Sequence, residues 1–199
     1  MKKKWNFKIT FNAVVTLSFV ALCFIATLLG EISGGKLTEA FFMTRHSSLL
    51  NPLTYLRFFT HVLGHSGWDH FLGNISIILI LGPMLEEKHG PTNILLIIIV
   101  TALITSVVHY IFFPHAALCG ASGVVFAFVL LASFTSFHEG EIPLTFILVA
   151  LFWIGREVVS GLTVKDNIAN LAHIIGGLIG AFVGYELNRK GSAKKRSYK

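Results

Sequence analysis

The sequence predicts an all-α polytopic membrane protein, a bundle of six transmembrane helices. Three observations predict it. Of 199 residues, 54% are hydrophobic and only 13% are charged, whereas an ordinary soluble domain carries about 25% charged residues. Mean hydropathy is +0.72. The apolar residues also gather into six runs, most of them near the roughly 20 helical residues that a bilayer core requires. This composition excludes a disordered chain, a disulfide-stapled secreted scaffold and a typical cytosolic enzyme. Helices are expected rather than a barrel, because no strand-like alternation is present and a helix satisfies its own backbone groups in lipid.

The expected spans are 9–29, 70–85, 94–113, 122–137, 142–160 and 168–185. The first follows Lys2, Lys3, Lys4 and Lys8, as in a signal peptide. It is longer than the about 7–15 residues of a secretory apolar region, and no small-x-small cleavage site follows it, so it reads as an uncleaved anchor. The fifth is interrupted late by Arg156 and Glu157. There is no internal repeat, and residues 1–199 read as a single membrane domain with basic tails at 1–8 and 189–199.

Sixteen Lys and Arg against ten Asp and Glu give a net charge of +6. The positions of the basic residues argue against a nucleic-acid partner: they cluster at the two ends, with no basic–aromatic interleaving. An even number of spans puts both termini on one side of the membrane. That side carries eleven of the Lys and Arg residues and the other side five, so the positive-inside rule places both termini in the cytoplasm. The compact frame points to a bacterial plasma (inner) membrane. Cys23 and Cys119 make no disulfide framework. The connection between the first two spans mixes Phe41, Phe42, Leu49, Leu50, Phe58 and Phe59 with Arg45 and Arg57. It is expected to lie in the outer interface as an amphipathic segment.

Polar side chains inside apolar runs are costly and mark candidate sites. His70 and Asn74 open the second run, Ser122 opens the fourth, and His173 lies early in the sixth. These three helices all run from outside to inside. At 1.5 Å per residue, the four side chains fall in one slab below the outer surface. The fourth run is short, so its start is expected to be sunk, with residues 114–121 dipping in beside a water-filled cavity. Gly176, Gly180 and Gly184 recur every four residues, a small-residue face on which the fourth helix can pack. Ser122 and His173 would then meet.

Serine and histidine together point to nucleophilic catalysis, with Ser122 attacking a carbonyl and His173 taking its proton. No acid lies near His173 in sequence, so a dyad is expected. His70 and Asn74 are i, i+4 on one helix face; with the backbone N–H of Ser122 they could hold an oxyanion. This chemistry needs no cofactor and no metal. Gly120-Ala-Ser-Gly123 is not the G-x-S-x-G elbow, because Val124 follows. His61-Val-Leu-Gly-His65 lacks the Glu of H-E-x-x-H. A metal site from His61, His65 and His70 stays open as an alternative.

Five stretches then occur in order: Arg57-Phe-Phe-Thr-His61-Val-Leu-Gly-His65, His70-Phe-Leu-Gly-Asn74, Leu85-Glu86-Glu87-Lys88-His89-Gly90, Gly120-Ala-Ser122-Gly123, and Ala172-His173-Ile-Ile-Gly176 with Gly180. On a six-span frame they resemble the rhomboid family of intramembrane serine proteases, most clearly from Leu56 to Gly184. The resemblance implies Ser122 as nucleophile, His173 as general base, and His70, Asn74 and the Ser122 N–H as oxyanion hole. It also implies a first loop lying partly in the membrane, and substrates that are transmembrane protein segments cut near their outer end. Gly120, Gly123, Gly176, Gly180, His65 and Phe126 are the expected supporting residues. Phe126 stands where the family often has a Tyr one turn after the Ser. Leu56-Arg57 stands for a Trp-Arg pair, and Leu130 for a Gly two turns after the Ser. Partners would be transmembrane substrates and the lipid bilayer, with oligomeric state left open. Two rival readings are a catalytically silent relative that binds membrane clients, a type that commonly lacks the Ser or the His, and a His-based metal-binding or transport protein.

Overall fold

The computed structural model describes residues 10–134, 144, 147–148, 151–152 and 173–186, most of them helical. In chain order the elements are α1 (Val14–Ile32), α2 (Lys36–Phe41), β1 (Thr44–Arg45), α3 (Pro52–Thr60), α4 (Trp68–His89), α5 (Pro91–Phe112), β2 (Ala117–Leu118) and α6 (Ser122–Phe134). Residues 173–186 form a further helical stretch. Among the described residues, α1, α4 and α5 are long and apolar enough to cross a membrane, and α6 is a shorter apolar helix. Most of the expected fifth span, 142–160, and the first part of the sixth, 168–185, lie outside the described residues, as do the tails 1–8 and 189–199.

The first helix starts later than the apolar run, at Val14 rather than residue 9, because of a distant partner. Glu86 of α4 accepts hydrogen bonds from the backbone N–H of Val15 (2.9 Å), the backbone N–H of Thr16 (2.8 Å) and the Thr16 hydroxyl (2.8 Å). Ala13 offers no side-chain cap of its own. The carboxylate therefore satisfies orphan donors of the first turn and sets negative charge at the positive end of the helix dipole.

The same contact extends α4 beyond the expected 70–85. Glu86, Glu87 and Lys88 read as loop residues in sequence, yet the helix runs on to His89 because Glu86 is buried against α1. Gly90 then ends α4, and Pro91 stands at the first position of α5, where its missing N–H costs nothing.

The connection between α1 and α4 is built rather than loose. Asn51 caps α3 by accepting the Leu53 N–H (3.0 Å), with Pro52 behind it. Arg57 is buried and donates from Nε to the Ala40 carbonyl (2.8 Å), while the Thr60 hydroxyl donates to the Phe41 carbonyl. These bonds tie α3 to α2. Leu50, Tyr55, Leu56 and Phe59 are left exposed, an apolar edge of the kind that suits an interface. β1 pairs antiparallel with β2, Thr44 opposite Leu118 and Arg45 opposite Ala117. The connection between α1 and α4 is thereby clipped to the loop that leads into α6.

The core surrounds α6. Val124, Ala127, Phe128 and Leu131 are all fully buried, facing Ile78 of α4 and Ile94 and Ile97 of α5 in one apolar cluster. A helix apolar on every side belongs inside other helices, and this one carries Ser122 at its first position.

Candidate functional site

The approach to Ser122 is set by Gly120. Its φ is +123°, and its N–H donates to the His61 carbonyl (2.9 Å). A Cβ here would lie 2.7 Å from both Cε1 and Nε2 of His70 and 3.7 Å from Nδ2 of Asn74. Backbone conformation and close approach both demand glycine. His70 and Asn74, one turn apart on α4, thus present their side chains to the turn that enters α6.

A buried chain of hydroxyls holds His61 in turn. The Thr44 hydroxyl donates to the Arg57 carbonyl (2.8 Å), so the Ser106 hydroxyl must supply the hydrogen for its 3.1 Å bond to Thr44. The Ser106 oxygen then accepts from Nδ1–H of His61 at 2.9 Å. The whole set is buried. Burial above all pushes the His61 imidazole down to about 4, in keeping with a neutral ring that spends its proton on Ser106.

His65 forms a wall beside His70. The two rings meet edge to face with centroids 5.0 Å apart, and His65 meets Phe71 likewise at 5.5 Å. Its Nδ1 lies 3.2 Å from the Leu63 carbonyl and 3.4 Å from the Thr27 hydroxyl. Burial first, and the neighbouring His70 second, push His65 down to about 4. Nδ1 of His70 in turn lies 3.1 Å from the Ser66 hydroxyl and 3.5 Å from the Ser66 backbone nitrogen. The three histidines considered as a metal set are each committed to a different neighbour. Among the described residues, no group of three or more His, Cys, Asp or Glu side chains could hold a metal ion.

His173 arrives from the helical stretch 173–186. Its imidazole stacks on Phe126, with centroids 4.3 Å apart and planes 4° from parallel. Phe126 is one turn beyond Ser122, so His173 lies over the first turns of α6. The backbones allow this by close approach. A Cβ on Gly176 would collide with the carbonyl of Gly123, and one on Gly180 with the carbonyl of Ala127. Leu130 packs toward Gly177, where a Cβ would lie 3.0 Å from its Cδ1.

The residues singled out from sequence are therefore gathered in one place: His70 and Asn74 from α4, Ser122 and Phe126 from α6, and His173. Asn74 is 8% exposed, and its Nδ2 has no hydrogen-bond partner among the described residues. Ser122 is half-buried. Sequence reasoning passed over Ser66, Ser106 and Thr44. The one signal for Ser66 was its place four residues before His70; Ser106 and Thr44 are linked to the site only by tertiary contacts.

A family model described as the Rhomboid domain matches residues 52–190, from the start of α3 to beyond the helical stretch that bears His173. Rhomboid-related protein 2 of Mus musculus is 31% identical over 158 residues, which cover 69% of this chain and 52% of that protein. Rhomboid-related protein 1 of Caenorhabditis elegans is 30% identical over 138 residues, covering 65% of this chain and 39% of its own length. Rhomboid protease GlpG of Haemophilus influenzae is 28% identical over 182 residues, covering 88% of this chain and 93% of that protein. The chain thus spans about half or less of the two animal relatives and nearly all of the bacterial one.

Proposed function

The chain belongs to the rhomboid family, and from that premise we propose that it is an intramembrane serine endopeptidase. It is an integral membrane protein, and its substrates are transmembrane protein segments cut near the outer membrane face. Relatives that carry the word protease in their names support the activity.

The mechanism follows from the side chains. Ser122 Oγ attacks the carbonyl carbon of the scissile peptide, and His173 takes its proton. The tetrahedral oxyanion is held by the imidazole of His70, the amide of Asn74 and the backbone N–H of Ser122, which the N-terminus of α6 leaves without an intrahelical acceptor. Collapse breaks the C–N bond, and His173 returns the proton to the departing amine. Water, activated by the same imidazole, then hydrolyses the acyl-enzyme. Gly120 and Gly123 serve by their small size, the first beneath His70 and Asn74, the second beneath Gly176. Gly176 and Gly180 bring the histidine in, and His65 walls His70.

The observation that carries this reading is the stacking of His173 on Phe126, one turn from Ser122. Catalytic serine–histidine hydrogen bonds are often loose before substrate arrives and tighten in the Michaelis complex. The distribution of basic residues supports both termini in the cytoplasm, and the whole chain acts as one membrane domain. A fluorophosphonate probe provides the test. It should label the wild-type protein and leave Ser122→Ala unlabelled; labelling that persists in Ser122→Ala would remove the nucleophile assignment.

A further inference from the structure

We infer that Ser66 is a positioning residue for catalysis: it holds Nδ1 of His70 as a hydrogen-bond acceptor and so keeps the imidazole proton on Nε2, where it faces the turn at Gly120. This rests on the reading of His70 as an oxyanion donor and adds what makes it one.

A neutral imidazole carries one N–H and one bare lone pair, and the partner of one nitrogen decides what the other can do. The two nitrogens of His70 face different surroundings. Nδ1 is turned to Ser66, whose hydroxyl is 3.1 Å away and whose backbone nitrogen is 3.5 Å away. A backbone N–H can only donate. Nδ1 must therefore accept, the hydroxyl donates to it as well, and the single ring proton sits on Nε2. Nε2 is the atom that a Cβ on Gly120 would approach to 2.7 Å, with Nδ2 of Asn74 beside it at 3.7 Å. Two N–H donors then converge next to Ser122. In the other tautomer a lone pair would face the developing negative charge and repel it.

The surroundings leave this task to Ser66. His65 meets His70 through ring edges rather than a hydrogen bond, and its own Nδ1 is engaged by Leu63 and Thr27. Ser66 itself is exposed and precedes Gly67, the residue that caps α4. As a turn residue alone it would bear on how α4 starts, and hence on stability. As a positioning residue it bears on kcat.

The test uses full-length protein reconstituted in liposomes with a model single-span substrate. Ser66→Ala removes the hydroxyl and keeps the weaker backbone donor. It should lower kcat by about three- to tenfold, the size expected for losing one such hydrogen bond, with KM and unfolding temperature nearly unchanged. Ser66→Thr, which restores a hydroxyl, should recover the rate. In a His70→Ala background, Ser66→Ala should have no further effect, because its route to the substrate is gone. Should Ser66→Ala also lower the unfolding temperature, the Thr rescue and the double variant still decide. An unchanged kcat in Ser66→Ala, or a loss that repeats in full without His70, overturns the inference while the role of His70 stands. A His70→Ala variant with wild-type kcat would instead remove the oxyanion reading itself.

Discussion

Phe126 lies flat against His173, with ring centroids 4.3 Å apart and planes 4° from parallel. The contact fixes the plane of the imidazole without any hydroxyl, so the phenyl ring alone supplies the stack. An aromatic pair of this kind is worth about 0.5–1.5 kcal/mol beyond burial. Phe126→Leu should accordingly lower kcat by up to about tenfold, while Phe126→Tyr stays close to wild type. Steady-state cleavage rates decide; a wild-type rate in Phe126→Leu would mean that stacking does not orient the base.

The close crossing behind that stack makes a second prediction. A methyl group on Gly176 would meet the carbonyl of Gly123, and backbone cannot move aside as a flexible side chain can. Gly176→Ala should destabilise the protein by about 1–3 kcal/mol, the usual range for overpacking, and should reduce cleavage by separating His173 from α6. Unfolding midpoints in detergent provide the check, and an unchanged midpoint would contradict the crossing.

At the far end of α1, Glu86 accepts three hydrogen bonds from Val15 and Thr16. Glu86→Ala would strand those donors, and a buried unsatisfied donor costs about 1–3 kcal/mol. The unfolding midpoint should fall while kcat of the folded fraction holds, since no catalytic side chain is touched. A midpoint that does not move would show that α1 starts without help from Glu86.

Acid should loosen the segment around His61 and His65. His61 and His65 are held near 4 against an ordinary value of 6.5, chiefly by burial. Between those values the unfolded chain binds protons that the folded chain refuses, so stability is full above about 6.5 and declines as pH falls toward about 4. Unfolding midpoints at pH 7 and pH 5 measure it. A His61→Asn variant should show a shallower decline than the wild type, and an equal decline would contradict the assignment.

The catalytic candidates were legible because each is a polar residue in an otherwise apolar run: Ser122, His173, His70 and Asn74 stand out against residues that lipid or core would tolerate. The glycine spacing at 176 and 180 likewise announced a close helix crossing. The ends of α1 and α4 were not legible. Glu86 reads as a loop charge until its partners, 70 and 71 residues earlier in the chain, are seen. The pairing of Thr44 with Leu118 is two residues long and leaves no periodicity to read. Ser66 stayed hidden for a similar reason: a small hydroxyl in an exposed turn has no signature until the imidazole it faces is in place. Of Leu56-Arg57, the arginine ties α3 to α2, because Arg57 is buried and bonded to the Ala40 carbonyl while Leu56 is exposed.

The central claim is that Ser122 cleaves a peptide bond within the membrane with His173 as its base. The most direct measurement is cleavage of a single-span transmembrane substrate in proteoliposomes by wild type, Ser122→Ala and His173→Ala, each first shown to retain the wild-type unfolding midpoint. Cleavage by wild type alone is the expected result. A cleaved product from Ser122→Ala, at a rate comparable to wild type, would contradict it.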